Sequence, residues 1–227
     1  MNSPNRDTNL DAGVAVLASG GLDSAVLIAE FLGQGRAVQP IYVRFGLVWE
    51  EVEETHLRRF LDTVPSSGLR SLVTLDVPVA DTYESHWSLS ADNVPDAHSP
   101  DDAVYLPGRN LLLLAKSSIW CALHGYPIIA LGTLEGNPFA DSSRDFFDDF
   151  ESLVQSAMNH LLEIVTPFSE FNKAQVLERG RDLQLQHTFS CIDPRAGCHC
   201  GRCNKCAERQ RAFAELSIDD VTSYAKV

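Results

Sequence analysis

The chain contains five short apolar runs of the kind that forms buried strands. They cover residues 14–18, 38–43, 72–77, 126–131 and 163–166. Apolar runs this continuous are typical of parallel strands that are covered on both faces. We therefore predict five buried parallel strands.

Between and after these runs, apolar residues recur at helical spacing. The predicted helices cover residues 22–32, 49–61, 109–123, 146–162, 173–179 and 205–216. Strands that alternate with helices predict an α/β fold with a doubly wound, Rossmann-like parallel sheet. Ligands of such sheets bind at the carboxyl ends of the strands, near the point where the strand order reverses.

Residues 80–105 interrupt this alternation. The segment, ADTYESHWSLSADNVPDAHSPDDAVY, is polar, contains two prolines and has no sustained period. A long structureless insertion in a compact domain is more often functional than accidental. We predict an irregular loop that contacts substrate.

Charge and hydropathy narrow the range of partners. Of 227 residues, 18 are basic and 31 are acidic, and the net charge of −13 disfavours an extended nucleic-acid surface. No apolar run reaches the roughly 18 residues of a membrane helix. The first residues lack the apolar region of a secretory signal. We expect a cytoplasmic protein with no nucleic-acid or membrane partner, and disorder in residues 1–12.

The corner between the first strand and the first helix is the first candidate site. It reads Ser19-Gly20-Gly21-Leu22-Asp23-Ser24. Adjacent glycines bring backbone N–H groups close to a ligand, and a helix N-terminus suits phosphate. The serines offer hydroxyl donors, and Asp23 suits Mg²⁺. The Walker and dinucleotide-binding patterns are both absent. The plain alternative is a turn in which Ser19 or Asp23 caps the helix.

Five of the six cysteines crowd between residues 191 and 206. In a reduced compartment, such a cluster indicates a metal site before a disulfide framework. Cys198 and His199 are further candidate ligands, but both are so close to Cys200 in the chain that they could not easily bind the same ion. An iron–sulfur cluster is the alternative to zinc. The predicted ligands of a closed, structural zinc site are Cys191, Cys200, Cys203 and Cys206.

Two motifs together carry a family resemblance. The Ser-Gly-Gly-Leu-Asp-Ser corner resembles the pyrophosphate loop of the PP-loop ATP pyrophosphatases, and SCIDPRAGCHCGRCNKCAER adds a C-terminal cysteine pattern. With YLPGRNLLLL (105–114) and TPFSEFNKAQVLERG (166–180), the chain resembles the 7-cyano-7-deazaguanine synthase family over about residues 14–213. The resemblance implies an adenine nucleotide α-hydrolase-like fold. Its ATP-binding domain would cover residues 13–186, and a zinc-binding segment with a terminal helix would cover residues 187–227.

The family's activity is an ATP-dependent ligation in queuosine biosynthesis. The resemblance implies that 7-carboxy-7-deazaguanine and ammonia become 7-cyano-7-deazaguanine, with release of AMP and pyrophosphate. The intermediates would be an adenylated carboxylate, an amide and an adenylated amide, at the expense of two ATP. ATP would bind with Mg²⁺, and the zinc would be structural. Relatives are commonly homodimers, so the resemblance allows a homodimer for this chain too.

The resemblance also assigns roles to individual residues. Arg109 and Asn110, at a helix start, would contact phosphate or substrate, and Lys173 would offset phosphate charge. Catalysis is assigned to Asp23, Arg109 and Lys173. The plain alternatives are a surface ion pair for Arg109, a helix cap for Asn110 and a solvated position for Lys173. The residues assigned to the nucleotide and Mg²⁺ are Ser19, Gly20, Gly21, Leu22, Asp23, Ser24 and Gly132.

Two regions depart from the family pattern. After the fourth strand the chain reads GTLEGNPFADSSRDFFDDF (132–150), and the second strand leads into YVRFGLVWEE. We expect Asp141 to bind the amine edge of the guanine-like substrate and Arg144 to bind its carboxylate, with a loop salt bridge as the alternative. Both regions are expected to line the acceptor pocket. A relative that adenylates another carboxylate, amide-forming or protein-modifying, is therefore the second reading. A tRNA-thiolating enzyme is the third, and the charge of −13 disfavours it.

Overall fold

A five-stranded, wholly parallel sheet forms the centre of the protein. The computed structural model describes residues 13–226, so the disorder predicted for residues 1–12 lies outside the described residues. The strand order is β3-β2-β1-β4-β5. All five predicted strands are confirmed, with ends that differ by at most two residues. They are β1 (Val14–Leu17), β2 (Val38–Arg44), β3 (Val73–Asp76), β4 (Ile128–Ala130) and β5 (Glu163–Val165).

Within residues 13–226, six longer helices and two short ones surround this sheet. The six predicted helices are confirmed, although the fourth ends earlier than predicted because Asn159 adopts φ 51° and stops it. No helix within residues 13–226 is long and apolar enough to cross a membrane. The helices are α1 (Leu22–Gly33), α2 (Glu50–Leu61), α3 (Ala80–Tyr83), α4 (Trp87–Ser90), α5 (Arg109–His124), α6 (Arg144–Met158), α7 (Lys173–Arg179) and α8 (Asn204–Glu215).

The sheet is buried on both faces, because alternate strand residues enter two different apolar clusters. Val14 and Val16 of β1 belong to the cluster that contains the apolar residues of α1, α2 and α7. Ala15 and Leu17 belong to the cluster that contains those of α5 and α6. This period of two is what a strand packed between helical layers requires. The second cluster also includes buried cysteines of the C-terminal segment, which therefore packs on the same core.

The prediction of an irregular loop at residues 80–105 was wrong in part, because short helices interrupt the segment. The segment folds into α3, α4 and a 3₁₀ turn at Asp101–Val104. It is also tied to the cysteine segment, since the N–H of Asn204 donates to the carbonyl of Pro95 at 2.9 Å. Helices of four residues contain about one turn, which is too short to show an apolar period in the sequence.

The strand order reverses between β1 and β4. The chain runs from β1 through β2 to β3 at one edge, and it returns to place β4 on the other side of β1. The corner after β1 and the loop that begins at Gly132 after β4 therefore meet at the switch point, where open α/β sheets bind their ligands.

Helix α7 begins with a reciprocal cap that fixes the position of Lys173. The Asn172 side chain accepts a hydrogen bond from the N–H of Gln175, and the Gln175 side chain accepts one from the N–H of Asn172. We predict that Asn172→Ala lowers the free energy of unfolding by about 1 kcal/mol, because the N–H of Gln175 loses its acceptor. Urea denaturation measures this. Asn172→Ser, which keeps a capping oxygen, should retain most of the stability, and an equal loss in both variants would contradict a capping role.

Candidate active site and metal centre

Two glycines let the loops after β1 and β4 approach each other and α2. Gly20 has φ +76°, and a Cβ there would lie 3.0 Å from the carbonyl oxygen of Glu53. A Cβ on Gly132 would lie 3.1 Å from the Cβ of Asp23, closer than ordinary van der Waals contact. Glycine is therefore needed at the first position for its backbone conformation and at the second for space.

The N-terminus of α1 carries no side-chain cap. Gly21 occupies the N-cap position, and its N–H donates to the Ser19 hydroxyl at 3.3 Å. The Ser24 hydroxyl donates to the carbonyl of Gly21 at 3.2 Å and lies 3.4 Å from the Ser19 hydroxyl. The plain reading, in which Ser19 or Asp23 caps the helix, is thus not what the structure shows. An uncapped helix start with two hydroxyls beside it is suited to an anion.

Lys173 reaches this corner from α7 and is not a solvated helix residue. Its Nζ lies 2.7 Å from Oδ2 of Asp23 and 3.1 Å from Oε1 of Glu208 in α8. Lys205 lies 2.7 Å from the other oxygen of Glu208. Burial alone would lower the pKa of Lys173, but the two carboxylates outweigh burial and raise it. Burial opposes the change at Glu208, whose pKa the two lysines lower to about 2.

One oxygen of Asp23 has no partner among the described residues. Oδ2 is bound by Lys173, whereas Oδ1 is buried and accepts no hydrogen bond. Buried carboxylate oxygens are ordinarily satisfied, so an unpaired one on a residue that lines a cavity suits a cation.

Two adjoining cavities open onto the corner. The larger has a volume of about 380 Å³ and the smaller about 190 Å³. Trp49 and Trp87, which stack with ring centroids 5.6 Å apart, line the larger one. The smaller lies among the ends of β1, β2 and β4. The residues lining both cavities include Ser19, Asp23, Arg109, Gly132, Thr133 and Asn137.

Arg109 begins α5 and lines both cavities as well as a third of about 140 Å³. It forms no ion pair within residues 13–226, and its Nε is buried without a hydrogen-bond partner. The surface ion pair considered from the sequence is therefore not formed. A guanidinium held at the mouth of a cavity with an unused donor is suited to a phosphate or carboxylate ligand.

Asn110 and Asp141 hold each other. The N–H of Asn110 donates to Oδ2 of Asp141 at 3.1 Å, and its side-chain amide donates to the Asp141 carbonyl at 3.0 Å. Asp141 thus supplies an acceptor at the start of α5, and both residues line the third cavity.

The structure does not bring Arg144 into any of these cavities. Its guanidinium lies 2.6 Å from Asp148 and 2.7 Å from Glu151, and it donates to the carbonyl of Ile164 at 2.7 Å. Arg144 therefore forms salt bridges, as the alternative considered from the sequence has it, but with partners on helix α6 and not in a loop.

Sequence reasoning missed Glu53, which lines the larger cavity from α2. Its carboxylate accepts a hydrogen bond from the Tyr42 hydroxyl at 2.7 Å. Burial raises the pKa of Glu53 to about 8, despite the opposing charge of Arg109 and the Tyr42 bond. A signal was present in the sequence, because Glu50, Glu53 and Glu54 share the buried face of α2 with Leu57. Carboxylates at the core positions of an amphipathic helix are rare without a role.

The four predicted cysteine ligands lie together. Their sulfur atoms are all within 4.8 Å of one another, and all four side chains are buried. Backbone amides support negative charge on these sulfurs, since the N–H groups of Asp193 and Cys200 both donate to Cys191 Sγ, at 3.3 and 3.2 Å. Cys198 is not part of the group, and His199 Nε2 accepts a hydrogen bond from the N–H of Ser190. The donor set fits one thiophilic metal ion.

The metal segment also touches the corner directly. The N–H of Phe189 donates to the carbonyl of Gly20 at 2.7 Å, two residues before Cys191. None of the six cysteines lines either of the two larger cavities. The thiolating reading, which requires a cysteine pair near the nucleotide, therefore gains no support.

This fold and this corner define the class of PP-loop ATP pyrophosphatases. Within that class the chain belongs to the family described as queuosine biosynthesis protein QueC, whose model matches residues 13–217. Relatives along most of the chain are named 7-cyano-7-deazaguanine synthase. The protein from Rhodopirellula baltica is 30% identical over 231 residues, which cover 92% of this chain and 91% of that protein. The protein from Syntrophotalea carbinolica is 29% identical, covering 93% and 96%.

A solved structure is similar in fold alone. The 4-thiouridine synthetase in its RNA complex with bound ATP is 17% identical, with a TM-score of 0.50. The match covers 90% of this chain and 50% of that one.

The cysteine geometry predicts which thiols hold metal. We predict that Cys206→Ser lowers the bound metal per chain at least several-fold and lowers the thermal midpoint, because metal binding contributes to folding of this segment. Elemental analysis of the purified proteins measures the metal. Cys198→Ser is the matched control and should keep the wild-type content. Metal loss in Cys198→Ser, or full content in Cys206→Ser, would refute the assignment.

Proposed function

We propose that the protein is an ATP-dependent carbon–nitrogen ligase that converts 7-carboxy-7-deazaguanine and ammonia into 7-cyano-7-deazaguanine. The observation that carries the proposal is the uncapped Ser19–Ser24 corner with Lys173 on Asp23, in a chain that belongs to the QueC family. The names of the relatives supply the product.

The corner is proposed to bind the β,γ-pyrophosphate of ATP. The N–H groups at the start of α1, including those of Gly21 and Leu22, would donate to phosphate oxygens together with the hydroxyls of Ser19 and Ser24. The conformation of Gly20 turns the backbone into this corner. The smaller cavity among the strand ends would take the adenosine, with Gly132 leaving room beside Asp23.

Asp23 is proposed to hold Mg²⁺ through its unpaired Oδ1. The fit rests on the buried oxygen without a donor and on the hard carboxylate ligand that Mg²⁺ prefers. When bound, the ion would neutralise charge on the phosphates. Lys173 would keep the other Asp23 oxygen in place and add its own positive charge at the site.

The chemistry is proposed to be two successive adenylations. A substrate carboxylate oxygen attacks the α-phosphorus, and negative charge builds on the departing pyrophosphate. Lys173 and Arg109 stabilise that charge, which makes them the catalytic cations. Ammonia then displaces AMP to give an amide. Adenylation of the amide oxygen and loss of a second AMP leave the nitrile.

The larger cavity is proposed to bind the deazaguanine. Trp49 and Trp87 offer a flat apolar wall to a planar ring. Arg109 lines both cavities, so it would contact the substrate carboxylate as well as the phosphates. Asn110 and Asp141 offer polar groups in the adjoining space. Arg144 is not part of this proposal, because Asp148, Glu151 and a backbone carbonyl already hold its guanidinium.

The four-cysteine site is proposed to hold structural Zn²⁺. Four thiolates complete a tetrahedral shell and leave no open position for chemistry. A colourless protein with one zinc per chain would support zinc, whereas a coloured protein containing iron would support an iron–sulfur cluster instead.

The proposal predicts that Asp23→Asn abolishes turnover without emptying the cysteine site. AMP formation should fall about 100-fold or more, because the variant loses a charge that organises the phosphate site. The assay contains ATP, Mg²⁺, ammonium and 7-carboxy-7-deazaguanine, with AMP and nitrile quantified by mass spectrometry. Asp62→Asn, an exposed residue outside both cavities, is the control.

Normal AMP formation by Asp23→Asn would remove Asp23 from its role. AMP release by the wild-type protein with a different carboxylic acid, and none with 7-carboxy-7-deazaguanine, would move the assignment to another substrate.

A further inference from the structure

Among the carboxylates of the larger cavity, Glu53 differs from the rest. Asp23 and Glu208 are bound by lysines, and Asp101 and Glu135 are exposed. Glu53 is buried, with 8% of its surface exposed, and it forms no ion pair within residues 13–226. It is therefore the buried carboxylate of this cavity that is not already committed to a lysine.

The position of Glu53 is fixed from two sides. Its Oε2 accepts the 2.7 Å hydrogen bond from the buried Tyr42 hydroxyl, and no described residue donates to Oε1. The Cγ of Glu53 lies against the Ser19–Ser24 corner, since a Cβ built on Gly20 would be 3.3 Å from this Cγ. One carboxylate oxygen is thus anchored while the other is left for a ligand, within reach of the corner where the substrate would be activated.

Burial and the groups that face Glu53 together set the pKa of its carboxyl group. Tyr42 faces it from β2, Glu50 from the same helix and Arg109 from α5. Burial raises the pKa of Glu53 to about 8, Glu50 adds to the increase, and Arg109 and the Tyr42 bond oppose it. A carboxylate of this kind is a stronger base than an ordinary glutamate and is still partly ionised near neutral pH.

The proposed reaction needs such a base, and the inference rests on that proposed function. When ammonia attacks the adenylated carboxyl carbon, a C–N bond forms and the C–O bond to AMP breaks. The nitrogen, which becomes positively charged, must lose one proton to yield the neutral amide. We propose that Glu53 is the general base of this step, and that Oε1 takes the proton from the attacking nitrogen as AMP departs.

The test separates adenylation from attack by ammonia. Exchange of labelled pyrophosphate into ATP, dependent on 7-carboxy-7-deazaguanine, reports adenylation alone and shows that a variant is folded. For Glu53→Gln, in which an amide oxygen still accepts from Tyr42, the exchange rate should stay within about threefold of wild type. The kcat/KM for ammonia, measured from amide and nitrile formation, should fall by about 10²- to 10⁴-fold.

A pH profile gives a signature that a structural role would not produce. With free ammonia held constant, wild-type kcat/KM should rise with pH as Glu53 ionises and level off above about 8. The Glu53→Gln profile should lack that rise. Glu54→Gln is the matched control, because Glu54 is a neighbouring buried glutamate that pairs with Arg44 and Arg58 outside this cavity. It should keep the wild-type profile.

Each other outcome overturns the inference. Undiminished ammonia-dependent turnover by Glu53→Gln would show that another group takes the proton. Equal loss of exchange and turnover in Glu53→Gln would assign Glu53 to the nucleotide site or to the stability of the fold. A wild-type rate that falls as the pH rises would show that the protonated form of Glu53 is the active one. Absence of acid-dependent exchange in the wild-type protein is distinguishable from all of these. It would overturn the proposed function and this base together.

Discussion

The contact between Lys173 and Asp23 is the interaction on which the site depends. It joins α1, near the beginning of the chain, to α7, and Glu208 extends it to α8. Each of these groups is about one-fifth exposed, so the charges are only partly solvated and need one another. The network holds the Asp23 side chain at the Ser19–Ser24 corner in one orientation and leaves one of its oxygens unpaired. The proposed adenylation requires such fixed charges before the substrate arrives.

A second constraint comes from the approach of two loops at the switch point. The sheet order places the ends of β1 and β4 side by side, and Gly20 and Gly132 remove the atoms that would keep the loops apart. Around this contact the aromatic wall, Arg109 and Glu53 come from separate segments of the chain. The insertion at residues 80–105 supplies Trp87, which makes it part of the cavity wall.

The sequence predicted the parts of the molecule that have a local signal. Five strands and six helices follow from apolar period, and the four cysteines follow from their spacing. The short helices α3 and α4 were not predicted, because a single turn is too short to show a helical period of apolar residues. Arg144 was expected in the acceptor pocket because residues 132–150 were expected to line it, but a helix starts at Arg144 and directs its side chain toward Asp148 and Glu151. Glu53 was missed because α2 was interpreted only as an acidic helix, although its glutamates at buried positions were a local signal.

The hydrogen bond from Phe189 to the carbonyl of Gly20 has a consequence for the order in which the protein matures. The corner that begins at residue 19 depends on residues 173, 189 and 208 for its surroundings. On the ribosome, β1 and α1 emerge long before those residues are made. A nascent chain therefore lacks the finished corner until residues 173, 189 and 208 have been made, and a product truncated before them would contain the motif without the residues that surround it.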